Sequence, residues 1–284
     1  MYDLILENKT GNRLEFEMGS PFQVVEITGL NPPPATINTA EIAYMDGSRF
    51  TGSKLQARAI NAAFAIQNDA AENRIEVYRV LKSKQPVRLI YKSLYRNVYI
   101  DGWIESIDIT YFEMVQVVTC VIICPDPYLK NAEELATELS DIVGMFHFPF
   151  ASTEEPEIVF GYIGSSVSVF VPNGGDVETG LVIELYARDT VSDPKIFDVD
   201  TQEWLKLNIT MQPDDLITVD TRQGHKTVTL LRNGAETSLF YAFDKGSSWL
   251  QLAANGSSFV YEVGSGDPTN LFITFKHNNL YEGV

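Results

Sequence analysis

Three histidines, two cysteines and several paired carboxylates are the side chains of this 284-residue chain whose types suit metal binding or acid–base chemistry. Their spacing argues against both. His147, His225 and His277 stand far apart, none at ligand spacing from another His or Cys. Cys120 and Cys124 lie in VTCVIICPDP, which reads as a strand. Four strand residues span roughly 13 Å, too far for a disulfide, so both read as buried structural thiols. Neither a Gly-x-Ser-x-Gly elbow nor a phosphate-cradling glycine loop occurs. The acid pairs Asp214–Asp215 and Glu154–Glu155 sit in turn-like sequence, where adjacent carboxylates are ordinarily solvated. Trp204 and Trp249 raise the idea of sugar stacking, but both lie in alternating strands and read first as packed residues. The expectation is a non-enzyme with no catalytic residue, cofactor or metal.

One stretch resists a routine reading. Gly29–Phe50, GLNPPPATINTAEIAYMDGSRF, holds three consecutive prolines and two glycines and lacks clear periodicity. A long surface loop would explain it. So would an extended arm whose partners lie on another subunit. Prolines with locked φ lose less entropy when the arm is ordered, and they keep it from pairing wrongly within its own sheet.

Charge narrows the partners. The net charge of −17 argues against nucleic-acid binding by the whole surface. It is uneven: residues 44–100 hold ten basic and four acidic side chains, +6 within an acidic chain. Such a window suits a solvated face or a basic patch meeting an acidic patch of another copy. No apolar run is long enough to span a membrane. The N-terminal MYDLILENKTGNRLEFE lacks the basic start and apolar core of a secretory signal, so synthesis in a cytoplasm is expected.

The elements that must carry these residues are mostly strands. LILENKTGNRLEFE reads as a hairpin around Lys9–Asn12, and FQVVEITGL as a strand. In ARAINAAFAIQND, Ile60, Ala62, Phe64 and Ile66 alternate onto one face. AENRIEVYRVLKSKQP shifts to a helical period and must end before Pro86. Residues 87–127 read as three or four strands, with Asp101–Gly102 marking a tight turn or bulge. NAEELATELSDIV, residues 131–143, reads as a linker helix capped by Asn131 with Glu134 three positions on. The remainder is a series of short alternating strands separated by NGG, RNG, ANG and GSGDP turns, which spells a β-sandwich or jelly roll.

The arm, the NRIEVYRVLKSKQPVRLIY segment, YIDGWIESID and CPDPYLK together resemble the distal tail protein family of siphophages, the phages with long non-contractile tails. GMFHFPF, NGGDVETGLVIELYA, KIFDVDTQEWLKLN, LITVDTRQGHKTVTLL and YEGV continue the resemblance in order along nearly the whole chain. It implies a mainly β protein of two domains. Residues 1–144, including the helix over 131–143, would be an N-terminal β-sandwich with a short helix and an extended arm or hairpin. Residues 145–284 would be a galectin-like β-sandwich. It also implies a hexameric ring at the virion tail tip. The ring's partners would be the tail tube protein above, the tail-tip hub or fibre below, and receptor-binding proteins held at the periphery. The second reading is a carbohydrate-binding module that contacts the host cell wall. Pro32, Pro33, Pro34, Arg49, Arg58 and Arg74 are the candidates for the interface between copies.

Overall fold

The computed structural model describes residues 3–17, 19–44, 46–111, 113, 115–139, 141–144, 161–164 and 168–284. The chain is mostly strand, and its residues form two units: Met1–Ala132 with Leu280–Val284, and Glu133–Asn279.

In the first unit, strands β1 (Asp3–Asn8), β2 (Arg13–Phe16) and β3 (Phe22–Thr28) lead to a hairpin, β4 (Ala35–Glu41) and β5 (Ser48–Leu55). After it come β6 (Arg58–Ile66), helix α1 (Ala70–Val80), β7 (Pro86–Lys92), β8 (Asn97–Ile109), β9 (Gln116–Cys124) and β10 (Leu129–Asn131). One antiparallel sheet runs β2-β1-β7-β8-β9-β6-β3, with β10 beside β8 and the strand Leu280–Tyr281 beside β10. The sheet curls until its ends approach. Phe16 of β2 and Phe22 of β3 lie with ring centres 6.3 Å apart, and Phe64 of β6 meets Phe16 edge-on at 4.9 Å. The two layers of the expected N-terminal sandwich are thus halves of one curved sheet, which leaves few free edges.

Alternation builds this core. Ile60, Ala62, Phe64 and Ile66 all point inward, joined by Leu6, Leu14, Leu89, Val98, Val118 and both cysteines. Each fully buried aliphatic or aromatic side chain contributes about 1.5–3 kcal/mol of transfer free energy. Helix α1 closes the core with Val77 and Val80, and Leu81 follows, buried, just past its end. Five residues separate the end of the helix from Pro86, where β7 begins.

Asp101–Gly102 forms no turn. Both lie inside β8, where Val87 pairs with Gly102, and the bulge falls between Ile104 and Ser106. Gly102 is there for closeness: a Cβ would sit 2.6 Å from Ile122 Cγ2 and 2.7 Å from Cys124 Sγ.

The expected linker helix over 131–143 is not formed either. Asn131 ends β10, and the residues after it make a strand Leu135–Glu138 (β11) and enter a strand Asp141–Gly144. β11 pairs with Leu271–His277 in the register Leu135↔His277 to Glu138↔Thr274. The segment alternates at period 2 as well as at 3.6, and the sheet edge offers its backbone partners that a lone helix lacks. Residues 145–160, including His147 and all of GMFHFPF after Gly144, lie outside the described residues.

The second unit is a β-sandwich. Six antiparallel strands run β11, Leu271–His277, Val182–Ala187, Leu216–Asp220, Thr227–Arg232 and Ala235–Ser238. Four more run Val169–Val171, Ser257–Glu262, Lys195–Asp198 and Trp204–Lys206. Ile183, Leu185, Ile217 and Phe275 from the first sheet meet Ile196, Leu205 and Phe259 from the second in one core. The Phe259 and Phe275 rings stack at 4.6 Å across it.

Candidate functional site

The proline-rich stretch folds as a projecting hairpin. β4 and β5 pair with each other over Ala35↔Leu55 to Glu41↔Ser48, and among the described residues they join no other strand. Register sorts their side chains. Ala35, Ile37, Thr39, Phe50 and Leu55 share one face; Thr36, Asn38, Ala40, Arg49 and Lys54 share the other. The first face also carries Glu41, Ser48 and Ser53, and its two large apolar side chains stand open, Ile37 58% and Phe50 59% exposed. Tyr44, in the connection between the strands, is fully exposed. A two-stranded ribbon without a core is at best marginally stable in water, so this geometry calls for a covering surface.

The root of the hairpin is built as firmly as its blade is bare. Gly29 has φ +90°, and a Cβ there would lie 2.2 Å from the Ala59 carbonyl oxygen, so only glycine lets the chain turn away from β6. Pro33 is buried while Pro32 and Pro34 are exposed. The Gln56 amide donates to the Pro34 carbonyl at 3.0 Å, and Gln56 Nε2 to Thr36 Oγ1 at 2.9 Å.

Arg58, expected on an intersubunit surface, is instead buried at the root, 1% exposed. Its Nη1 donates to the carbonyls of Gly29 and Asn31, its Nε to Pro127 and its Nη2 to Glu282, each at 2.7 Å. Burial lowers its pKa, opposed by the nearby Cys124 and Glu282. A guanidinium survives in such a place because four of its five N–H donors meet main-chain carbonyls. Arg58 therefore shapes the arm and presents no charge to a partner.

The other candidates divide. Arg49 is exposed on the polar face of the arm. Arg74 stands on a separate element, α1, where it donates to Gln116 Oε1 at 3.3 Å and lies 5.3 Å from the Tyr111 ring centre. Arg88, from the same basic window, is paired with Asp101 at 2.7 Å. The window is thus distributed among the arm, its root, the helix, β7 and the connections on either side of β7. The apolar members of the arm, Ile37 and Phe50, went unnoticed in the sequence. They lie on different strands, and only the pairings Ile37↔Ser53 and Thr39↔Phe50 put them on one face.

The groups with chemical potential serve structure. Burial pushes the Cys120 thiol up to about 11 and the Cys124 thiol to about 12. His277 is buried and His225 exposed, and among the described residues no three His, Cys, Asp or Glu side chains group as metal ligands. Asp215 is not solvated as expected: it is buried against Arg232 Nε at 2.8 Å. Burial raises its pKa, but the Arg232 bond and the Gln212 amide outweigh this and hold it below the usual range. Trp249 stacks on Phe243 at 4.5 Å, and Phe240 lies near-parallel at 6.0 Å. The tip of the Trp204 ring faces Gly246, and Lys195 Nζ lies 4.9 Å from its centre. Both indoles are half-buried and engaged by their own unit.

Residues 9–124 match the model of the phage tail protein RIFT-related domain, and residues 174–278 match that of the siphovirus-type tail component, C-terminal domain. The chain belongs to the siphophage distal tail protein family. As a distal tail protein it is a structural component of the phage tail. The crystal structure of the Dit protein of phage SPP1, described as a paradigm of the hub adsorption apparatus in phages infecting Gram-positive hosts, shares its fold. The TM-score is 0.67 at 18% identity, over 97% of this chain and 98% of that one. Chains of the phage P2 baseplate in its activated conformation, with Ca and with Sr, superpose at TM-score 0.53 and 13% identity over 100% of both chains. A comparison with curated proteins found no match in sequence.

Proposed function

We propose that this distal tail protein closes head-to-tail into a hexameric ring at the tip of the tail, each copy laying its β4–β5 arm on the next. The observation that carries this reading is the arm itself, a hairpin whose large apolar side chains, Ile37 and Phe50, its own unit leaves open. A closed ring needs one donated and one accepting surface per copy, and a projecting hairpin is a natural donor. Charge supports assigning the ring to the first unit. Residues 133–279 hold 22 acidic and 8 basic side chains, a net −14, which leaves −3 for the rest of the chain. Six units of −14 repel one another and favour the periphery. There they would hold adhesion proteins, while the ring joins the tail tube to the hub or baseplate.

The test is to replace residues 36–54 with a short Gly-Ser linker. Light scattering and negative-stain images should then show monomers where the wild-type chain shows rings. Rings that persist in the shortened chain would refute the role of the arm.

A further inference from the structure

The segment that follows the second unit returns to the first. Leu280 and Tyr281 pair with Lys130 and Leu129 of β10, and the Arg96 guanidinium lies 4.0 Å over the Tyr281 ring. The next residue, Glu282, gives its carbonyl to Arg58 Nη2. Gly283 then faces the arm root: a Cβ there would lie 3.1 Å from Pro32 Cδ. The same guanidinium holds the Gly29 and Asn31 carbonyls, so residues separated by more than 220 positions converge on one side chain.

We infer that residues 280–284 are a latch that fixes the direction in which the arm leaves the first unit, with Arg58 as the positioning residue between them. Without Glu282, Nη2 loses an acceptor in a buried site, and water or rearrangement must replace it. The donors that orient Gly29 and Asn31 sit on the same planar group and shift with it. Pro32 loses the surface of Gly283 at the same time. The arm is synthesised more than 200 residues before Glu282. Its root is therefore completed only when residues 280–284 emerge, and a chain made only as far as the second unit carries an arm that is not yet aimed. Assembly competence is in this way tied to completion of both units. The consequence for assembly rests on the reading of the arm proposed above; the latch itself does not.

The experiment measures the arm directly. Spin labels at Lys9→Cys and Ser48→Cys report the arm against the body, since both native thiols are buried. Distances are recorded below the assembly concentration for the full chain, for a chain ending at Asn279, and for Gly283→Ile, which wedges the segment off Pro32. The latch predicts a distance distribution about twofold wider in both variants, with the melting of the second unit unchanged. An unchanged distribution in Gly283→Ile overturns it, even where the shortened chain fails to fold. Widening together with an undiminished ring population supports the latch and overturns the role of the arm in assembly.

Discussion

Arg58 donates to the main-chain carbonyl of Glu282 at 2.7 Å, across 224 positions of sequence. The bond joins the root of the arm to a segment made after the whole second unit. Losing the guanidinium strands four carbonyls at once. Arg58→Met is expected to destabilise the first unit by roughly 3–5 kcal/mol. Arg58→Lys recovers only part of this, because an ammonium cannot span the four acceptors of a planar fork. Urea unfolding, followed separately for the two units, checks both values.

Ile37 and Phe50 share the open face of the arm. The double substitution Ile37→Ser with Phe50→Ser removes that face without touching a core. Thermal stability of the monomer is expected to hold within about 0.5 kcal/mol. The concentration at which rings form should rise about tenfold or more, the equivalent of about 1.4 kcal/mol or more per contact. Sedimentation at several concentrations separates the two effects. Moderate salt alone should leave rings intact, since exposed ion pairs are worth only about 0–1 kcal/mol each.

Gly102 is held by contact and not by a turn. Gly102→Ala places a methyl group against Cys124 Sγ and Ile122 Cγ2, both nearer than 3 Å. A cost of about 1–3 kcal/mol in the first unit is expected. Adding Cys124→Ala, which removes the Sγ on which the new methyl group falls, should return part of it relative to Cys124→Ala alone. A cost unchanged by the second substitution would show that the backbone gives way and not the side chain.

The two thiols make the first unit sensitive to alkali. Their folded pKa values, about 11 and about 12, lie above the ordinary 9.0. The unfolded chain therefore releases these protons first as pH rises. Stability from this source is complete below pH 9.0 and declines above it, until the folded thiols themselves ionise. Melting temperatures between pH 8 and 11 should fall in the wild type and fall less in a Cys120→Ala, Cys124→Ala chain. Native thiols should also resist alkylation at pH 8 and react on unfolding.

Asp215 and Arg232 play the corresponding part in the second unit. Asp215 is 1% exposed, so Arg232→Met leaves a buried carboxylate without its cation. The expected loss is about 3–5 kcal/mol. Because the folded pKa of Asp215 is depressed, its contribution is present above the unfolded value and disappears as pH falls below it. Asp215→Asn should therefore flatten the acid limb of the stability profile, which calorimetry between pH 2 and 6 would show.

Much of this architecture is written locally. The alternation of Ile60, Ala62, Phe64 and Ile66, the helical period before Pro86 and the turn at Lys9–Asn12 each depend on neighbours within a few residues, and each is found where the sequence puts it. The prolines likewise announce a segment that leaves the core. What local patterns cannot hold is a choice between two locally consistent structures. NAEELATELSDIV satisfies a helix and a strand alike, and the edge of Leu271–His277, over 130 residues away, decides for the strand. Adjacent carboxylates look solvated until a distant Arg232 closes over one of them. Arg58 looks like a surface charge within a basic window, and Gly102 like a turn. Only when β6, β8, β9 and residues 280–284 are brought together does the first become a buried clasp and the second a point of contact. The physical reason is the same in every case. Hydrophobic periodicity is a property of consecutive residues, whereas the burial of a charge and the approach of a backbone depend on which distant segments share the space.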